Sequence, residues 1–153
     1  MAKAADVPIH ADMTFAEAAA RTVAVRAGEL WEHSEGVLDT GDIERVHDMR
    51  VATRRLRAVF EIFAPCFPRA EHRAALREVK ALADALGARR DPDVQLAATG
   101  ALEAAMGPEE RAGLEVFASM LHDEQRAGNE ILAAALRHAE ESELRERLER
   151  LVA

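Results

Sequence analysis

The chain has one cysteine, one tryptophan, no tyrosine and only two lysines in 153 residues. A single thiol, Cys66, excludes an internal disulfide and suits a reducing compartment. It lies between Pro65 and Pro68 with no metal-ligating neighbour, which fits a turn better than a catalytic or zinc site. No apolar run is long enough for a signal peptide or a membrane span, so the expected location is the cytoplasm, without a membrane partner. There is no glycine-rich phosphate loop, no HExxH and no nucleophile elbow, and the six histidines are dispersed. Catalysis therefore has no sequence support, and no cofactor or metal is expected.

Alanine, leucine, glutamate and arginine dominate instead, which is the profile of an all-α protein. The length supports one domain with a real core. The net charge of −8 argues against a general nucleic-acid binder. That total hides a pattern. Residues 1–44 carry three basic and nine acidic groups, −6; residues 45–100 carry eleven and seven, +4; residues 101–153 carry six and twelve, −6. Positive charge gathers in the middle third, as a local anion site in an acidic protein would require.

Residues 1–13 show no steady period and read as a flexible tail. Thr14 and Glu17 have capping-box spacing, so a first helix should start there and run to His33 or Val37. Phe15, Ala18, Ala19, Thr22, Val25, Leu30 and Trp31 are its candidate buried side. A second helix should run from Asp42, as N-cap, to Phe63. On a wheel of about 100° per residue, His47, Arg50, Arg54 and Arg57 share an arc of roughly 80°. Met49, Ala52, Leu56, Val59, Phe60 and Phe63 take the core side. Asp48 and Glu61, the only acids between Arg45 and Ala70, are placed off this ladder. Like charges at these spacings cost about 0.2–0.5 kcal/mol per pair. Two readings stay open: a solvated arginine face, and a ladder whose guanidinium forks match phosphate oxygens.

Pro65 and Pro68 allow a short reversal into a third, antiparallel helix, from Arg69 to Leu86 with Gly87 as C-cap. Arg73, Arg77 and Lys80 on this helix form, with Arg69, a second basic row. The two rows would line a shared basic groove that focuses the field on polyanions. Asp91 as N-cap with Pro92 at the first helical position signals a fourth helix, to Ala105 or Met106, with Asp93 in its first turn. Pro108 opens a fifth, to His138, with Leu114, Phe117, Leu121, Ile131, Leu132 and Ala135 as its apolar stripe and Gly128 admitting a close neighbour. His122 and Arg126 could share one face of it. A short charged helix over 140–151 completes an antiparallel bundle of about five to six helices.

Two motifs then stand out. Val46-His47-Asp48-Met49-Arg50-Val51, continuing to Arg54-Arg55-Leu56-Arg57-Ala58, is the first. Leu86-Gly87-Ala88-Arg89-Arg90-Asp91-Pro92-Asp93-Val94 is the second. Together they resemble the CHAD domain, the conserved histidine α-helical domain. The resemblance implies a single helical domain over residues 14–153 with a basic pore that binds inorganic polyphosphate. By position it implies His47, Arg50, Arg54 and Arg57 as phosphate ligands, with Arg90 as a further match and Asp91 as a capping acid. Lys80, Arg77 and Arg73 would be supporting contacts. The family commonly has two pseudo-symmetric halves, and only one is evident here, so a homodimer would complete the channel. The leading expectation is non-catalytic polyphosphate binding. The alternatives are a phosphohydrolase acting on phosphoanhydrides, with Asp91, Asp93 or Glu61 as local carboxylates, and a helical interaction scaffold.

Overall fold

The computed structural model describes residues 3–153, so the first two residues of the expected tail lie outside it. Five α-helices carry the fold: α1 (Phe15–Glu32), α2 (Ile43–Ile62), α3 (Arg69–Glu103), α4 (Pro108–Glu141) and α5 (Leu144–Leu151). A 3-10 turn, Ala64–Cys66, joins α2 to α3. The described residues contain no strand, and the architecture is an all-α helical bundle.

The start of α1 follows the capping box. Glu17 N–H donates to the Thr14 hydroxyl at 3.2 Å, and Thr14 N–H donates back to Glu17 Oε2 at 2.7 Å. The segment before it has no regular structure but is tied to α1. Ala5 N–H donates to Glu29 Oε1 at 2.5 Å, Arg26 donates to the Ala5 carbonyl, and Arg21 to the Pro8 carbonyl. Burial works against the charge on Glu29. The Ala5 N–H, Arg26 and Arg55 outweigh it and hold the carboxyl below its ordinary pKa. After α1 the chain turns through Gly36, whose φ of +67° favours glycine. A Cβ there would also lie 2.8 Å from Arg45 Nη1.

Apolar side chains of all five helices meet in one core. Val23 and Leu30 from α1, Met49, Leu56 and Phe60 from α2, Val79 and Leu86 from α3, Leu132 from α4 and Leu144 and Leu148 from α5 are fully buried in it. The core side expected for α2 is therefore right, with Val59 and Phe63 packed at its edge. Phe15 is an exception on α1: it is exposed and meets Phe63 edge-on at 5.3 Å. Trp31 is half-buried against the core. On α4, Leu121 and Leu132 are buried, but Phe117 and Ile131 face solvent.

The third and fourth helices expected from sequence are one 35-residue helix. Gly87 does not end it, Asp91 is an exposed residue in its interior rather than a cap, and Pro92 is buried within it. Proline at position 92 has no N–H to offer the Ala88 carbonyl, so the helical ladder misses one bond there. The α4 residue Gly128 lies against that carbonyl, where a Cβ would come within 2.6 Å of the Ala88 oxygen. A close helix crossing thus sits at the proline, and α3 continues across it.

Candidate functional site

Two contacts fix the antiparallel register of α2 and α3. At one end Arg90 Nη1 donates to the Ile43 carbonyl at 3.3 Å. At the other, His72 Nε2 donates to the Phe60 carbonyl at 2.8 Å, and its ring stacks on Phe60 and Phe67. Phe60 is in the last turn of α2, where carbonyls lack helical partners, so this buried histidine completes the helix end. Sequence reading gave His72 no role. Its spacing carries no signal without knowing that α3 folds back onto that carbonyl.

This register brings Arg77 and Lys80 on α3 level with Arg54 and Arg57 on α2. The rotation of α2 is as the wheel requires: Arg50, Arg54 and Arg57 are exposed and His47 is half-buried. On α3, Arg73 and Arg77 are exposed as well. Arg55 points elsewhere, toward α1, where its charge favours the ionised form of Glu29.

Glu61 must be moved. It was placed off the ladder, yet it shares the ladder's azimuth one turn beyond Arg57. Its Oε1 accepts from Arg57 Nε at 3.2 Å and lies 3.1 Å from Lys80 Nζ. It joins the two rows at their α2 C-terminal end. The hydrogen bonds from Lys80 and Arg57 hold its carboxyl below the ordinary range. Arg57 and Lys80 therefore share one half-exposed acid. Arg90 is drawn to backbone at the start of α2. Among the described residues, His47, Arg50, Arg54, Arg73 and Arg77 have neither an acidic partner nor a hydrogen-bond partner.

A second cluster, not foreseen, lies where α3 crosses α4. Arg89 is fully buried. Its Nη1 pairs with Asp93, and its Nε donates to Asn129 Oδ1 at 3.1 Å. Asp93 also accepts from Gln125 Nε2 at 2.7 Å, and Asn129 Nδ2 donates to the Leu38 carbonyl at 3.1 Å. Four polar side chains thus lock α3, α4 and the α1–α2 loop together. The i,i+4 spacing of Arg89 and Asp93 was visible in the sequence. Their burial was not, because it depends on Gln125 and Asn129 from another helix. Asp93, read as a first-turn dipole acid, is instead a structural counter-ion. Arg126 pairs with Asp123, and with His122 it lines a cleft of about 480 Å³ beside this cluster.

The class these features define is an all-α bundle with an uncompensated cationic face on two antiparallel helices. The family model described as the CHAD domain matches residues 21–153, and the chain belongs to that family. No curated protein and no solved structure matches it.

Proposed function

We propose that this protein binds inorganic polyphosphate, without turnover, through the face formed by His47, Arg50 and Arg54 on α2 and Arg73 and Arg77 on α3. One observation carries the reading: these side chains sit together at the surface of an acidic protein and are not answered by its own carboxylates. A chain of phosphates supplies regularly spaced anions, and each guanidinium can take two oxygens in a fork. Membership of the CHAD family, which is associated with polyphosphate, supports the choice of polyanion. Arg57 and Lys80 border the face and would exchange Glu61 for phosphate at little cost, since exposed ion pairs contribute only about 0–1 kcal/mol. Arg90 belongs to the frame of the site through its bond to the Ile43 carbonyl.

The test is titration with long-chain polyphosphate over a range of salt, with free phosphate measured alongside. Binding that falls steeply with salt, without phosphate release, supports the reading. No binding at low salt would overturn it, and metal-dependent phosphate release would replace it with hydrolysis.

A further inference from the structure

The apolar stripe expected on α4 divides in two in the structure. Its inner seam runs from Leu114 to Ala139 at alternating steps of four and three residues. Every position on it is buried or half-buried. One residue earlier, a second seam with the same period runs from Gly113 to His138. All eight of its positions are exposed. It contains Phe117, Met120 and Ile131, with relative exposures of 46%, 57% and 53%. Seven-residue spacing of this kind is the pattern of a helix that packs against another helix. The inner seam is used within the bundle. The outer one extends over about 38 Å of helix with nothing on it.

We propose that the outer seam of α4 is a dimer interface, occupied by α4 of a second copy of this chain in antiparallel orientation. The argument is self-complementarity. A two-fold axis between Glu124 and Ala127 overlaps all eight positions and sets large residues against small ones. Phe117 meets Ala134 of the second copy, Met120 meets Ile131, Glu124 meets Ala127, and His138 meets Gly113. Each contact occurs twice, as an isologous interface requires. Charge agrees with the direction. Antiparallel pairing carries the acidic first turn, Glu109 and Glu110, to the end of α4 that holds Arg137 and His138. Parallel pairing would stack those acids on their own copies. The one unfavourable member is Glu124, whose carboxylate loses water near the axis, so the pair should be reversible rather than permanent. This interface uses none of the ladder residues and stands or falls apart from the polyphosphate reading.

Sedimentation velocity on the full chain, at tens of micromolar and moderate salt, tests it. The wild type should run as a dimer. Ile131→Glu and Phe117→Glu should each give monomers with unchanged helix signal, since both side chains are exposed. Glu124→Leu should tighten the dimer at least about tenfold, a shift of about 1.4 kcal/mol. A wild type that stays monomeric would overturn the proposal. So would a dimer indifferent to Ile131→Glu, one left unchanged by Glu124→Leu, or one dissolved by Arg54→Glu instead.

Discussion

Arg89 and Arg54 are the same residue in opposite circumstances. Arg89 is sealed at the α3–α4 crossing, paired with Asp93 and bonded to Asn129. Arg54 stands on the open face of α2 with no acid or hydrogen-bond partner among the described residues. The first shows that this chain surrounds a guanidinium with partners where a guanidinium serves the fold. The second shows the contrast: five basic groups are brought onto one surface, and the protein's many acids are kept elsewhere. With acids outnumbering basic residues twenty-eight to twenty, that separation cannot be put down to a shortage of carboxylates. A charge answered internally holds helices together. A charge left unanswered is available to something outside.

The comparison can be broken most forcefully at the buried side. Arg89→Ala strands the Asp93 carboxylate in the interior and should cost about 3–5 kcal/mol, read as a drop in the denaturant midpoint. A change under about 1 kcal/mol would mean that the crossing is wet and the two arginines are not so different. Next comes Gly128→Ala, which drives a methyl into the Ala88 carbonyl. Overpacking of this kind costs about 1–3 kcal/mol, and the same midpoint reports it. The outer ion pairs matter less and through pH. Burial opposes the charge on Glu78, but the Ser142 hydroxyl and Arg147 outweigh it and hold its pKa below the ordinary value. Its contribution is therefore complete above the unfolded pKa of about 4.3 and is lost as pH falls through the lower folded value. Melting temperatures measured from pH 5 down to pH 3 should fall (about the range that spans both pKa values), and Glu78→Gln should flatten part of that slope. Smallest of all is Arg54→Ala, which should change stability by less than about 0.5 kcal/mol. Circular dichroism after Arg54→Glu should show helix content nearly intact, because the ladder lies off the core.

Much of this was legible beforehand, for local reasons. Thr14 and Glu17 start α1 because a capping box needs only residues three apart. The faces of α2 follow from its period, since no glycine or proline interrupts it. Where tertiary structure overrides local preference, the sequence misleads. Asp91-Pro92 has the form of a helix start, yet α3 passes straight through it, at the point where Gly128 of α4 comes against the Ala88 carbonyl. Phe117 and Ile131 were assigned to one stripe with Leu121 and Leu132, although a single neighbouring helix covers only one of the two seams. Glu61 was separated from the ladder although its azimuth placed it there, and its link to Lys80 required the fold. Arg89, Gln125 and Asn129 form a cluster only once two helices cross, and no local spacing announces that.

The central claim is that the open arginines are there for a polyanion, and isothermal titration of long-chain polyphosphate into wild type and into the Arg50→Ala, Arg54→Ala double variant tests it most directly. The account predicts wild-type binding at low salt, a marked loss of affinity in the variant, and a dependence of log affinity on log salt that is shallower by about two, one for each contact removed. Equal affinities and equal slopes for the two proteins, with both fully folded, would contradict it.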